Sequence, residues 1–262
     1  MANITGIVIT LNESGNIEDC LKSLGTVCNE LIVVDSNSTD DTVAKAQALG
    51  AKVYSQSYLG DGFQKNVGLA YATNKWILSM DADERITPEM VADIKNLDLD
   101  NTEQDAFAFR RRNLIGSRWV KRCGWYPDYC TRLYNREKTK FAEVKQHAYV
   151  PAKNLKYLKS DIEHFSFKNI GELFSKPGRP FALRGAKILY QKGKRANCFS
   201  PFVHGANSFL RKYIFELGFL GGVDGLTVSL SSCLNSYLKY AMLLEMQRDK
   251  KVLDGTNFKK TW

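Results

Sequence analysis

WILSMDADERIT, residues Trp76–Thr87, runs from an apolar segment into three acids within four positions, Asp81, Asp83 and Glu84. Its apolar half has the length of a buried strand. Thr87 and Pro88 carry the N-cap and first-position signals of a following helix, PEMVADIKNL. In an open parallel sheet, ligands bind outside the carboxyl ends of the strands. Acids placed just after a buried strand therefore stand at the mouth of a site, and the single residue between Asp81 and Asp83 lets both carboxylates turn toward one ligand.

The segments upstream support that frame. NITGIVIT (3–10) reads as a strand, and GNIEDCLKSL (15–24) puts Ile17, Cys20, Leu21 and Leu24 on one helical face. ELIVVD (30–35) is a second strand, after which Ser38 and Asp41 fit a capping box opening the helix TVAKAQALG, closed by Gly50. AKVYS reads as a third strand, FQKNVGLAYA as a third helix and WILSMD as a fourth strand. Strands separated by helices of this length imply right-handed crossovers and a mainly parallel sheet with helices on both faces.

From about residue 105 the pattern changes to a strand, DAFAFRRRNLIG, and a basic aromatic stretch, SRWVKRCGWYPDYCTRLYNR, with no clear helix until about residue 170. Two further helices are expected, NSFLRKYIFELGFLGG and LTVSLSSCLNSYLKYAMLLEMQRDKK. Neither holds eighteen unbroken apolar residues, so they are expected to pack on the core or to lie on a membrane face rather than to span one. The expected division is 1–200 for the α/β domain (halves 1–105 and 106–200) and 201–262 for a helical extension able to associate with a membrane.

Charge is distributed unevenly along the 262 residues. Residues 1–105 hold 7 Lys and Arg against 17 Asp and Glu, whereas residues 110–195 hold 22 against 6, which calls for an anionic partner in the second half. The six cysteines form no CxxC or Cys/His cluster, so free thiols in a reducing compartment are expected. No basic start precedes an apolar core in MANITGIVITLNESGN, and the expectation is cytoplasmic synthesis without export.

Paired carboxylates after a strand have three readings: a solvated loop, a hard divalent cation bridging a diphosphate, or an aspartyl-phosphate nucleophile. Arg85, and the position on the fourth strand, count against the last. There is no GxGxxG and no GxxxxGK[ST], which disfavours dinucleotide and P-loop sites. TLNES (10–14) and DSNSTDDT (35–42) follow the first two strands and open on the same edge as Asp81 and Asp83; Asp35 there can accept from a base N–H or a ribose hydroxyl.

VITLNESGNIEDCLKSL, ELIVVDSNSTDDT and GFQKNVGLAYATNKWILSMDADE together resemble the nucleotide-sugar half of family 2 glycosyltransferases with the GT-A fold. The later GWYPDYCTRLYNR, EHFSF and C-terminal helices resemble a subgroup that adds glucose to the heptose of the lipopolysaccharide inner core. The resemblance implies a Rossmann-like, mostly parallel α/β sheet with flanking helices and a UDP-sugar pocket lined by Thr10, Asn12, Glu13 and Asp35. It implies Lys65 near the diphosphate, Asp81 toward the ribose or a metal-bound water, and Asp83 as the direct ligand of Mg²⁺ or Mn²⁺. A metal-dependent, inverting hexosyl transfer follows, from UDP-glucose to a lipid A-core acceptor, by an enzyme peripherally associated with the cytoplasmic face of the inner membrane.

Inversion requires a base on the acceptor side. The resemblance leads to an expected His-Glu pair where this chain has QHAYV, with His147 present and Ala148 in the place of the acid. The candidates for the base are therefore Asp128, Glu163 and His147. His164 and His204 read as structural. Trp119, Trp125, Tyr126 and Tyr129 read as core or as faces on which a sugar can stack. Two other functions stay open: a basic nucleic-acid-binding module, which no RNP, zinc or helix-turn-helix signature supports, and a degenerate nucleotide-sugar binder without a base. No nucleic acid partner is expected, and nothing in the sequence sets the oligomeric state.

Overall fold

The computed structural model of the protein describes residues 3–144, 148–176 and 181–248. The chain forms two compact units, the first made of residues through Arg112 with Pro127–Phe165, the second of Asn113–Tyr126 with the residues from Ser166 onward. These units do not follow the expected division at residue 200. The helices just before that position pack on the last helix of the chain and belong with it.

The first unit is a mixed α/β sheet. Its elements in chain order are β1 (Ile4–Thr10), α1 (Ile17–Leu24), β2 (Glu30–Asp35), α2 (Thr42–Ala48), β3 (Lys52–Ser55), α3 (Asp61–Val67), β4 (Trp76–Asp81), β5 (Glu84–Ile86) and α4 (Pro88–Lys95), then β6 (Ala106–Ile115), β8 (Asp128–Asn135) and β9 (Leu155–Phe167). The strand order is β3-β2-β1-β4-β8-β6-β9-β5. β3, β2, β1 and β4 are parallel, whereas β8 runs antiparallel to both β4 and β6, and β9 antiparallel to β5. β1, β2 and β4 are nearly continuous apolar runs because both their faces are covered. On one face Val8, Val33 and Met80 pack with Cys20, Leu21 and Leu24 of α1; on the other Ile7, Ile32, Val34 and Ile77 pack with Tyr134 and Phe141.

The end signals hold in part. Thr87 Oγ1 accepts from Met90 N at 3.2 Å and Pro88 takes the first position of α4. Gly50 follows α2 with φ of +78°. The Ser38–Asp41 capping box does not form, because the Ser38 amide and hydroxyl both donate to Asp35 instead. The third helix starts earlier than expected and ends in a 3₁₀ turn at Gly68–Ala70, where a Cβ on Gly68 would stand 2.6 Å from Ile7 Cγ2.

The second unit contains β7 (Arg118–Trp119), which pairs with Leu114 and Ile115 at the end of β6, followed by α5 (Ile170–Lys176), α6 (Ala182–Gln191), α7 (Ser200–Leu210) and α8 (Gly222–Arg248). A π-helical turn, Arg211–Phe215, and a 3₁₀ turn, Gly218–Gly221, join the last two, so the first expected C-terminal helix is broken at Leu217, whose φ is +55°. α8 packs on α5, α6 and α7. Ile115, Val120, Cys123, Leu173 and Val228 form this unit's own core.

Candidate active site

Strand register gathers the carboxyl ends. Thr10 pairs with Asp35, Ile9 with Asp81, and Asp35 with Ser55, so the ends of four parallel strands share one edge of the first unit. Two loops lock together there. Asn12 N donates to Ser38 Oγ and Thr39 N to Asn12 Oδ1, both at 2.8 Å, while Glu13 N donates to Thr42 Oγ1 at 2.8 Å. Each loop turns on an asparagine with a left-handed backbone, Asn12 at φ +55° and Asn37 at +66°, a conformation its side chain tolerates. Thr10 Oγ1 is buried beside Asp35 and has no hydrogen-bond partner among the described residues, which leaves it for a ligand's polar group.

Asp81, at the last position of β4, lies between two cations. Lys65 of α3 pairs with its Oδ1, and Arg132 of β8 donates to Oδ2 at 2.8 Å. Burial alone would raise the Asp81 carboxyl, but Lys65 and Arg132 outweigh it and hold the group well below the usual carboxylate range. Arg132 also binds Glu84, which is fully buried and accepts the Asp81 amide at 3.1 Å. Arg111 extends the chain of charges, 3.5 Å from Glu84 and donating through Nε and Nη2 to Asp128 Oδ2 at 2.9 and 2.6 Å. Three cations and three carboxylates thus satisfy one another where burial would otherwise penalise each.

Asp83 lies in the two-residue turn between β4 and β5 and faces His164 of β9, with Oδ2 3.3 Å from Nε2 and the carboxylate 28% exposed. Neighbouring ligands in an octahedral Mg²⁺ or Mn²⁺ shell stand about 3 Å apart, so the pair fits a divalent cation. Among the described residues no three His, Cys, Asp or Glu groups gather for a metal. Two protein donors agree with the habit of such cations at nucleotides, where phosphate oxygens and water complete the shell.

The base candidates separate. Asp128 belongs to the charged chain and its side chain is 34% exposed. Glu163 stands opposite Arg85 in register, on the other face of β9 from Ile162 and His164. His147 lies outside the described residues, and Ala148 packs against the core. Of the aromatic group, Trp119 meets Tyr126 edge-on and Trp125 stacks on Phe167 in the second unit, whereas Tyr129 meets Tyr157 in the first. His204 stacks on Tyr240. Burial pushes the Cys20 thiol up, and that of Cys130 to about 11, so neither serves as a thiolate near neutrality.

Reading the sequence alone missed Arg132, Arg111, Glu84 and His164. His164 had a local signal, its place beside Glu163 in EHFSF. Arg132 had none, because a bulge sets its direction: Phe107 pairs with Leu133 and Ala108 with Thr131, leaving Arg132 as the extra residue.

The fold and this edge define a mixed α/β protein with a charged site at the ends of its parallel strands. Residues 5–154 match the family model Glycosyl transferase family 2. Over 97% of its length the chain is 30% identical to an uncharacterized glycosyltransferase of Rickettsia felis, covering 94% of that protein. The chain belongs to glycosyl transferase family 2. Among solved structures it is similar to Staphylococcus aureus TarS in complex with UDP, at 19% identity and a TM-score of 0.49 over 95% of this chain and 92% of that one. It is also similar to glucosyl-3-phosphoglycerate synthase from Mycobacterium tuberculosis, at 28% identity and 0.36 over 43% of each.

Proposed function

We propose that this glycosyltransferase moves a hexose, glucose from UDP-glucose, with inversion, onto the heptose of a lipopolysaccharide or lipooligosaccharide inner core. One arrangement carries the assignment: Asp35 and Asp81 end the parallel strands on either side of β1, Asp83 follows in the turn after β4, and Lys65 and Arg132 both pair with Asp81. Asp35 and Thr10 offer an acceptor and a free hydroxyl to the uridine, with Asn12 and Glu13 holding the loop beside them. Lys65 and Arg132, both held against Asp81, bring positive charge to the diphosphate side of the site, and Asp81 meets the ribose.

Asp83 and His164 would hold a Mg²⁺ or Mn²⁺. The ion, when bound, neutralises charge on the departing diphosphate. Asp128 takes the proton from the acceptor hydroxyl. Its two hydrogen bonds from Arg111 orient it. The 22 Lys and Arg against 6 acids in residues 110–195 support a phosphorylated lipid A-core as acceptor, and a UDP-sugar donor is consistent with a reaction at the cytoplasmic face of the inner membrane, with peripheral attachment. Mass spectrometry of the core from cells with and without the intact gene tests the assignment. One missing hexose on an inner-core heptose is expected, and an unchanged core would refute it.

A further inference from the structure

Along α7 and the first half of α8 the buried residues are mostly small, Val228 being the large apolar exception in α8, and several large apolar residues are exposed. Along α8, Gly225, Thr227, Ser229 and Ser231 are buried, while Val223, Leu226, Leu230 and Leu234 form an exposed stripe at three- and four-residue spacing. α7 repeats the inversion, with Pro201 and Gly205 buried and Phe202, Val203 and Leu210 exposed. Phe215, 79% exposed, and Phe219 continue the surface through the turns between them.

Close packing enforces this arrangement. A Cβ on Gly225 would stand 1.9 Å from Gly218 O, and one on Gly205 3.4 Å from Cys233 O. The buried hydroxyls are satisfied internally: Thr227 donates to Val223 O and Ser229 to Gly225 O, both at 2.7 Å, and Ser231 to Leu173 O at 3.3 Å. Small residues inward, leucines outward and polar groups satisfied within is how helices pack when their surroundings are apolar. Basic residues border the surface: exposed Arg122 lies beside Gly221, and Lys121 sits over the Trp119 ring at 4.5 Å. The whole second unit carries 19 Lys and Arg against 6 Asp and Glu, whereas the first carries 18 against 22.

We propose that this face of the second unit inserts into one leaflet of a membrane with anionic headgroups, as a re-entrant wedge. Among the described residues no single helix is long and apolar enough to cross a membrane; α7 with its following turn and α8 pass that test only together, bent by 69°. α7 reaches about 16 Å, half of the roughly 30 Å hydrocarbon core. The far half of α8 carries Lys239, Glu245 and Arg248 and packs Leu243 and Met246 with Ala186 of α6. Insertion is therefore shallow, about 5–10 Å, with the basic border at the headgroups.

Flotation of the full chain with phosphatidylcholine vesicles, alone or with about a third phosphatidylglycerol, tests the wedge without donor or acceptor, so its failure is distinct from failure of sugar transfer. The protein should float with the anionic vesicles and stay largely bound at about 0.5 M salt, where charge attraction is screened. The double substitution Phe215→Asp with Val223→Asp should weaken binding at least about tenfold with an unchanged melting curve, since both side chains are exposed. A Phe215→Trp variant should be quenched by brominated lipid. Wild-type binding by the double variant, no quenching, complete release at high salt, or a solution dimer without vesicle affinity would each overturn the wedge.

Discussion

Arg132 donates to Asp81 Oδ2 at 2.8 Å from the extra position of a β-bulge. The bulge turns an arginine out of the strand alternation and toward the end of β4, and the same guanidinium meets fully buried Glu84. Removing one partner of a buried ion pair typically costs about 3–5 kcal/mol. Arg132→Met should therefore lower the melting temperature by about 6 °C or more and weaken UDP binding in calorimetry. Arg132→Lys should fall between, since it keeps the charge and loses the fork.

Stability should depend on acid in a defined window. The Asp81 carboxyl is held down because Lys65 and Arg132 outweigh its burial, and Glu30 is lowered to about 2 because bonds from Lys52, Thr73 and Thr5 outweigh its own. Both folded-state values lie below the unfolded ones, near 4, so the unfolded chain binds more protons as the pH falls. The stabilisation is complete above that value and is lost as the pH drops through the folded values. Urea midpoints should be flat from neutrality to about pH 5 and fall below about pH 4, less steeply in Glu30→Gln.

His164 and Asp83 should act together on metal. His164→Ala should raise the Mn²⁺ concentration giving half-maximal turnover by roughly tenfold or more, with little change when metal is saturating. An identical metal response in the variant would remove His164 from the site.

The base candidates are separable by kinetics. Asp128→Asn should lower kcat by about 10²–10⁴ while leaving the donor KM nearly unchanged. Glu163→Gln, on the opposite face of β9 from His164, should retain most activity. The reverse outcome would transfer the role to Glu163.

The parallel half of the fold was legible because β1, β2 and β4 are apolar on both faces and the helices between them end in standard signals such as Thr87, Pro88 and Gly50. The carboxyl-end rule then placed Asp35, Asp81 and Asp83 on one edge. The antiparallel half was not legible. Arg111 and Arg132 belong to a basic stretch that called for an anionic partner, and only the strand pairing brings Arg111 to Glu84 and Asp128 and buries Arg132 against Glu84. The capping box failed for a similar reason, since Ser38 answers to Asp35 rather than to the helix. The C-terminal helices were ambiguous because their apolar residues do not reveal from sequence which face is buried.

Transfer of labelled glucose from UDP-glucose to core acceptor lacking the hexose, with wild-type protein and Asp83→Ala compared in the presence of Mn²⁺, tests the central claim most directly. One hexose per acceptor with wild type, and a loss of at least about a hundredfold in the variant, is the expected result. Turnover that survives in Asp83→Ala with metal present would contradict it.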